Sequence, residues 1–360
     1  MGKKIFRGIA VCLAVLVLAA VGLVVWLTIT EYKPAAVEET PFFPGHSKYL
    51  SIGDSLTILT QNTGYCGLGA DADFFMDGGK GVSPSREQVQ ANLSGLSSQL
   101  FIDQKADIYF LQEVDLNSSR TKGIDQSRQW AVCFHTAIGG CSHSYALNYS
   151  CDFVPYPFPP IGRVYSGLTT ISAAPIISAQ RVALPCPFSW PVSAANLKRC
   201  LLVNHVPLEG SDKELVLVNL HLEAYDDGEG KAAQTKVLID FLTDEYEKGN
   251  YVIAGGDFNQ TFPGALDAFP IQDSSLWTPG VLEDGILPDG WQFACDLSTP
   301  TCRLLNHPYN TDPDGNQFYV IDGFILSPNV ALDSVETIDC QFAYTDHNPV
   351  SIQVTLEAGS

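Results

Sequence analysis

The chain has 360 residues, of which 46% are hydrophobic and 17% are charged, and its formal net charge is −20 at pH 7. This composition excludes a disordered chain, because such chains contain too few hydrophobic residues to form a core. Residues 34–360 contain 16 basic and 39 acidic residues, which gives a net charge of −23. A charge of that sign repels polyanions, so we expect no stable nucleic-acid partner bound through its phosphates.

The first predicted element is a membrane span. Residues 9–29 contain no charged side chain, and as a helix rising ~1.5 Å per residue they would cross a bilayer core of roughly 30 Å. Lys3, Lys4 and Arg7 precede this run and favour a cytoplasmic N-terminus. We therefore predict a single-pass membrane protein, with residues 1–31 as cytoplasmic stub and anchor and the rest outside. The alternative is a cleaved signal peptide, whose apolar core is shorter, at ~7 to 15 residues.

Residues 32–48 contain three prolines and two acidic residues, which is typical of a linker rather than of regular structure. Residues 49–360 are expected to form one domain. Apolar runs of strand length and β-branched content occur at 56–61, 107–112, 167–172, 200–206, 214–222, 251–256, 319–326 and 349–356. Residues 85–100 and 230–248 instead have the apolar spacing of amphipathic helices. This mixture predicts an α/β layered domain.

Polar side chains lie at the ends of several predicted strands. They are Asn62, Glu113, His221, Asp257, Asn259, Asp346 and His347. Each alone has a structural explanation, such as a turn or a buried histidine. Strands with aligned ends would bring them together at one edge of a sheet, where carboxylates can bind Mg²⁺ or Mn²⁺, an aspartate can deprotonate water and a histidine can act on a phosphoryl oxygen. The pattern therefore predicts a metal and phosphate site.

Ordered motifs around these residues carry a family resemblance. They are QN (61–62), QEVD (112–115), NLHLEA (219–224), GGDFN (255–259), IDGFILS (321–327) and TDHNPV (345–350). In order and spacing they resemble the endonuclease/exonuclease/phosphatase family, which includes deoxyribonucleases, apurinic endonucleases, neutral sphingomyelinases and inositol-polyphosphate phosphatases. The resemblance implies that residues 49–360 are a catalytic domain with a four-layered α/β/β/α sandwich of two stacked mixed sheets.

The resemblance also implies roles for individual residues. The ligands of Mg²⁺ or Mn²⁺ would be Glu113, Asn62 and Asp346. The catalytic residues would be Asp257, His347, His221, Asn259 and Asp322. Among these, Asp257 would activate water, Asn259 and His221 would hold the phosphate, and Asp322 would orient His347. Arg120 resembles an arginine that follows the metal-binding glutamate in some members, and it would contact the substrate.

These features predict divalent-metal-dependent hydrolysis of a phosphate ester outside the membrane. The anchor, the acidic surface and the aromatic, proline-rich residues 151–165 favour a lipid-headgroup or small organic phosphodiester. Residues 151–165 are either an ordered surface loop or an apolar lip beside the site. An extracellular nuclease is the alternative, because bound metal can locally invert the negative field, although no basic loop for gripping a duplex is visible. A non-catalytic surface binding protein is the third candidate.

Two further features stand apart from the motifs. Residues 64–84 are longer than the connection in many family members, and Asp77 or Lys80 in this segment is a candidate for a specialised role, as an alternative to a structural loop. Nine cysteines lie outside the span, where an oxidising compartment favours disulfides. Proximity alone suggests Cys133/Cys141, Cys186/Cys200 and Cys295/Cys302, but their spacing does not match that of a zinc site.

Overall fold

The computed structural model describes residues 2–226, 228–312 and 315–358, so the expected boundaries at residues 1 and 360 lie outside it. Its first element, α1 (Gly2–Ile29), is long and apolar enough to cross a membrane. The most apolar stretch of α1 is not buried in the protein, unlike a core helix. This exposure agrees with the predicted membrane span.

Helices and strands alternate through the rest of the described chain. The remaining helices are α2 (Arg86–Ser98), α3 (Gln126–Ile138), α4 (Glu229–Glu247) and α5 (Ala265–Ala268). The strands are β1 (Val37–Glu39), β2 (Phe42–Phe43), β3 (Leu50–Ser51), β4 (Ser55–Asn62), β5 (Ile108–Asp115), β6 (Ser142–Val154), β7 (Gly162–Ser172), β8 (Ser178–Ala183), β9 (Cys200–Glu209), β10 (Glu214–His221), β11 (Tyr251–Asp257), β12 (Gln260–Thr261), β13 (Gly280–Val281), β14 (Gln292–Ala294), β15 (Cys302–Arg303), β16 (Phe318–Tyr319), β17 (Asp322–Leu326), β18 (Val330–Thr337) and β19 (Val350–Leu356). Short helical turns occur at Gly64–Cys66, Phe75–Asp77, Gln99–Gln104 and Val192–Ala195.

Two mixed sheets contain most of these strands. The first sheet has the order β1-β8-β9-β10-β11-β17-β14 with β3 beside β9, and the second has the order β18-β19-β4-β5-β7-β6-β2. In the first sheet, β10 and β11 are parallel, so His221 lies beside Asp257, which in turn lies beside Asp322 of antiparallel β17. In the second sheet, parallel β4 and β5 place Asn62 beside Gln112. The strand ends therefore place the predicted site residues at one edge.

The two sheets pack face to face. Ile58 and Phe110 of the second sheet share a buried cluster with Leu217 and Ile253 of the first. The outer face of the second sheet is covered by α2 and α3, through side chains that include Leu93, Leu96, Trp130 and Phe134. The outer face of the first sheet is covered by α4, through Leu238 and Leu242. The predicted four-layered α/β/β/α sandwich is confirmed.

The predicted linker contains regular structure. Residues 37–39 form β1, which pairs with β8 at the edge of the first sheet, and residues 42–43 form β2, which pairs with β6 at the edge of the second. The expectation of a linker without structure is therefore wrong for these residues. The reason is tertiary, because two-residue and three-residue strands gain their hydrogen bonds only from a sheet edge that is already formed.

The predicted disulfides are not present. All ten cysteines are free, including the pairs Cys133/Cys141, Cys186/Cys200 and Cys295/Cys302. Members of a pair lie in different surroundings: Cys186 is exposed whereas Cys200 is buried, and Cys295 packs beside the α4 cluster whereas Cys302 packs with Tyr319. The Cys141 thiol points to the carbonyl of Ala131. Two cysteines that are close in sequence do not necessarily have their Cβ atoms at the distance and in the direction that a disulfide needs.

Two buried carboxamides connect the sheets beneath the site. Gln112 Nε2 on β5 donates a 2.8 Å hydrogen bond to Asn219 Oδ1 on β10. Asn219 Nδ2 donates in return to the backbone carbonyls of Thr169, at 2.9 Å, and Leu111, at 3.3 Å. Buried polar groups are costly unless they are paired, so these bonds favour one alignment of the two sheets.

We expect Asn219→Leu to lower the free energy of unfolding by about 3 kcal/mol, because it leaves buried polar groups of the second sheet without partners. Urea unfolding of the full chain in detergent micelles, followed by tryptophan fluorescence, measures the change. Lys236→Ala is the control, since it breaks only an exposed ion pair with Asp240 and should cost less than about 0.5 kcal/mol. Equal effects of the two variants would contradict the cross-sheet role.

Candidate active site

Asp257 lies at the centre of the candidate site, at the end of β11. Its Oδ2 is 2.9 Å from Asn62 Nδ2, 3.4 Å from His221 Nε2 and 3.9 Å from His347 Nε2. Its Oδ1 accepts a 2.8 Å hydrogen bond from the backbone N–H of Asn259. Four of the residues predicted from the sequence therefore surround one buried carboxylate, which receives side chains from both sheets.

Burial sets the charge of this centre. Burial and the nearby Asp322 carboxylate raise the pKa of Asp257 to about 7, although His347 and the Asn62 hydrogen bond act in the opposite direction. Burial, together with the charges of Arg199 and His347, holds the pKa of His221 well below its usual range. His221 is therefore a neutral imidazole, with one hydrogen-bond donor and one acceptor.

His347 is in the opposite charge state. Burial alone would lower its pKa, but the Asp322 carboxylate raises the pKa of His347 well above its usual range. His347 Nδ1 lies 2.8 Å from Asp322 Oδ2, and its Nε2 lies 3.9 Å from both Asp257 Oδ2 and Asp346 Oδ2. The imidazolium thus donates from Nδ1 to Asp322, and its second N–H lies on the side of the other two acids.

Glu113 and Asp346 form the acidic side of the site. Glu113 has a positive φ of 56° where the β5–β7 ladder is irregular, and such a bulge redirects the side chain. Burial raises the pKa of both carboxyl groups, and the charge of Asp346 raises the pKa of Glu113 further. Within the described chain, Thr345 Oγ1 donates to Asp346 at 3.2 Å, whereas no hydrogen bond reaches the Glu113 carboxylate. These oxygens are free to bind a cation.

Gly64 lies between Asn62 and Asp346. Its N–H donates to Asn62 Oδ1 at 3.0 Å, and a Cβ at this position would lie 2.9 Å from Asp346 Oδ1. A site of carboxylate and amide oxygens suits a hard divalent cation. Glu113, Asn62 and Asp346 line one cavity and offer oxygens of this kind, and their assignment as ligands of Mg²⁺ or Mn²⁺ stays a prediction. The more compact groups of possible ligands depend on His347, whose protonated ring has no lone pair to offer.

Arg120 lines the site but is held by the protein. Its Nε and Nη2 donate to the Asp115 carboxylate at 3.1 and 2.9 Å, and its guanidinium stacks on the Tyr65 ring at 3.8 Å. Much of its hydrogen-bonding capacity is therefore used within the protein. Its predicted contact with substrate remains a prediction.

Arg199, directly before β9, was not predicted from the sequence. It is only 4% exposed and lines the same cavity as Glu113 and His221. Its Nε lies 3.7 Å from Glu223 Oε2, and its Nε and Nη1 are buried without a hydrogen-bond partner among the described residues. A guanidinium beside a cavity can attract an anion through its charge. No local sequence pattern marks it, because the fold alone brings it to the site.

A cavity of about 710 Å³ extends from the site. Asp77 lines it, accepts a 3.1 Å hydrogen bond from the Tyr225 hydroxyl and has a pKa raised to about 6, mainly by burial. Lys80 is exposed and does not line the cavity. Residues 151–165 form the end of β6, a connecting loop and the start of β7, and Val154 and Tyr156 line the cavity. The segment is an ordered loop at the edge of the site.

Solved structures share this fold. An endonuclease/exonuclease/phosphatase from Beutenbergia cavernae matches at 16% identity and a TM-score of 0.55, over 84% of this chain and 72% of that chain. One from Bacteroides vulgatus matches at 15% identity and a TM-score of 0.52, over 84% and 100% of the respective chains. A functionally unknown conserved protein from Enterococcus faecalis matches at 15% identity and a TM-score of 0.53, also over 84% and 100%.

The chain has the endonuclease/exonuclease/phosphatase fold, which confirms the resemblance seen in its motifs at the level of fold. No protein-family model matches the sequence, and no curated protein matches it. At these low identities the structural likeness concerns the fold. The function is therefore inferred from the geometry of the site.

Charge removal at Asp346 tests the electrostatics without an activity assay. A carboxyl group whose pKa is raised by folding costs stability at pH values above its unfolded pKa. In EDTA at neutral pH, Asp346→Asn should therefore raise the free energy of unfolding by on the order of 1 kcal/mol. Millimolar Mg²⁺ should stabilise the wild type and reverse this order, because the variant has lost a ligand.

Urea unfolding with and without Mg²⁺ measures both effects. Asp339→Asn is the matched control, because Asp339 is exposed and should respond to neither change. Destabilisation of Asp346→Asn in EDTA would show that the site does not carry the expected repulsion.

Proposed function

We propose that this protein hydrolyses a phosphodiester with the help of a divalent cation. The observation that carries the proposal is the convergence on Asp257 of Asn62, a neutral His221 and a positively charged His347. One buried centre thus holds a base, a hydrogen-bonding imidazole and an acid. Placing groups of different charge state side by side is what general acid and base catalysis needs.

Glu113, Asn62 and Asp346 would hold the cation. When bound, Mg²⁺ or Mn²⁺ supplies Lewis-acid polarisation of the phosphoryl group. These three residues provide oxygen ligands, and burial raises the pKa of Glu113 and Asp346, which is a cost of carrying charge that a bound cation would offset.

Asp257 would accept a proton from the attacking water. Its pKa of about 7 is close to the pH at which it would work, and Asn62 and Asn259 fix its two oxygens. His221 and Asn259 would hold phosphoryl oxygens. Asn259 Nδ2 already donates one hydrogen bond to the Leu222 carbonyl, which leaves its second N–H for the substrate.

His347 would donate a proton to the phosphoryl group or to the leaving oxygen. Asp322 keeps the imidazole charged and oriented through the 2.8 Å contact at Nδ1. Arg199 would add a second positive charge, since this arginine lines the cavity beside His221. Together they would stabilise the charge that develops on phosphorus-bound oxygens.

The substrate we favour is a lipid-headgroup or small organic phosphodiester. Two features support it: α1 is long enough to anchor the domain to a membrane, and residues 34–360 carry a net charge of −23. The same negative field disfavours the alternative of a nuclease that grips a duplex. Lys3, Lys4 and Arg7 support an orientation with the domain outside the membrane.

The full chain in detergent micelles with Mg²⁺ should hydrolyse bis-p-nitrophenyl phosphate. His347→Ala should reduce kcat/KM by about 10³-fold, because the proton donor is lost. His205→Ala is a matched control. His205 also pairs with a carboxylate, Glu214 Oε2 at 2.7 Å, but it does not line the cavity, so its rate should equal that of the wild type.

Equal rates for His347→Ala and the wild type would contradict the proposed chemistry. Plasmid DNA serves as a second substrate in the same assay. Faster cleavage of DNA than of the small diester, falling steeply with added salt, would favour the nuclease instead.

Arg199→Ala should lower kcat/KM for the same diester by roughly 10- to 100-fold, because a hydrogen bond to a charged group contributes about 1.5–3 kcal/mol. Arg199→Lys should retain part of the rate, since it keeps the charge but loses the planar fork. Arg163→Ala is the control: this half-buried arginine binds Asn117 and does not line the cavity. An unchanged rate for Arg199→Ala, with the variant folded by circular dichroism, would remove Arg199 from the site.

A further inference from the structure

The end of α1 is attached to the domain beside the cavity. Leu23 and Leu27 pack in one cluster with Val154 and Ala194. Trp190 Nε1 donates a 3.0 Å hydrogen bond to Thr28 Oγ1. These contacts fix the direction in which the helix leaves the domain.

A salt bridge just after the end of α1 also attaches the chain to the domain. Lys198 Nζ lies 2.8 Å from Glu31 Oε1, and both side chains are largely buried. Val24 and Leu27 also line the cavity that contains Asp257. The helix that is expected to span the membrane is therefore part of the cavity wall.

The length of the apolar run fixes the depth of these contacts. Residues 9–29 extend over about 31 Å as a helix, and the bilayer core is roughly 30 Å thick. The whole apolar run is therefore needed to cross the bilayer core. Leu23 lies six positions before Ile29, about 9 Å along the helix axis towards the membrane. Parts of the domain that contact Leu23 must therefore lie within the membrane boundary.

The surface at this depth is apolar. Two loops, 153–161 and 186–195, contain no charged residue, whereas residues 34–360 carry a net charge of −23. Phe158 is 94% exposed and Trp190 61% exposed, so each loop presents a large aromatic side chain to its surroundings. We call these two loops the apolar rim.

We propose that the apolar rim inserts into the leaflet that faces the domain, so that the cavity opens at the depth of the lipid headgroups. The partner is an electrically neutral lipid surface, because the acidic domain would be repelled by an anionic one. The charge-free loops, their exposed aromatic side chains and their contacts with the membrane helix all point to the same occupant. Insertion buries the apolar side chains that water would otherwise surround.

Insertion also defines the substrate class, and this step rests on the proposed function. A diester that reaches Asp257 from the membrane side passes Val24 and Leu27 of α1 and Val154 of the apolar rim. An amphiphilic phosphodiester can place its phosphate at Asp257 while its hydrocarbon part stays against these side chains and in the leaflet. A small soluble diester makes none of the apolar contacts.

Lipid quenching tests the insertion. The full chain carrying Trp26→Phe and Trp190→Phe is reconstituted in phosphatidylcholine vesicles whose acyl chains are brominated near the headgroup, and single tryptophans are added. Phe158→Trp should lose roughly half of its added emission, because interfacial side chains lie about 5–10 Å into the boundary region. Ile102→Trp is the matched control. Ile102 is likewise exposed, at 60%, but it precedes β5, at the opposite end from Glu113, so its emission should be unchanged.

Equal emission from Phe158→Trp in brominated and plain vesicles would overturn the insertion. If such vesicles still hydrolysed bis-p-nitrophenyl phosphate, the proposed function would stand without it. Quenching of Phe158→Trp without hydrolysis of the diester would support the membrane contact and contradict the proposed function.

Chain-length dependence tests the substrate class in the same vesicles. Dodecyl p-nitrophenyl phosphate should be hydrolysed with a kcat/KM at least about tenfold higher than that of methyl p-nitrophenyl phosphate, since each buried methylene contributes about 0.8 kcal/mol. Equal values for the two esters would rule out an amphiphilic substrate while leaving the quenching result intact.

Discussion

The hydrogen bond between Gln112 and Asn219 fixes how the two sheets stack, and the site depends on that alignment. An apolar interface alone is tolerant of small shifts, because hydrophobic contact has no direction. The amide bond has direction and is costly to leave unmade. At the ends of strands β4 and β11, Asn62 Nδ2 of the second sheet donates a 2.9 Å hydrogen bond to Asp257 Oδ2 of the first. A shift of the sheets would break this contact, so the buried amides position chemistry that they do not take part in.

One buried site keeps two histidines in opposite charge states. His347 has Asp322 at 2.8 Å, whereas His221 lies where the positive charges of Arg199 and His347 add to the cost of burial. Proton donation and neutral hydrogen bonding can therefore occur within 4 Å of the same carboxylate, Asp257. The fold achieves this by arranging partners rather than by changing residue type.

The sequence predicted those features that have a local signature. The apolar runs lie in or overlap strands, and the helical spacing of residues 85–100 and 230–248 corresponds to α2 and α4. Strand-end polar residues predicted the surroundings of Asp257, because aligned strands bring their ends together. By contrast, β6 alternates buried and half-buried side chains with many polar residues, and β1 and β2 need a preformed edge. Arg199 and the attachment of α1 depend on contacts between distant parts of the chain, which no local pattern records.

Arg199 and Glu113 carry opposite charges on the same cavity. Within the described chain, two nitrogens of the buried guanidinium and the Glu113 carboxylate lack hydrogen bonds, and unpaired buried polar groups cost stability. The structure holds Arg199 beside Glu223, at 3.7 Å, and turns Glu113 through a bulge. Arg199 therefore already has a carboxylate beside it, whereas Glu113 has no hydrogen-bond partner within the described chain. Under the proposed function, a cation at Glu113 and an anionic phosphate near Arg199 would each offset part of the cost of keeping these charges buried.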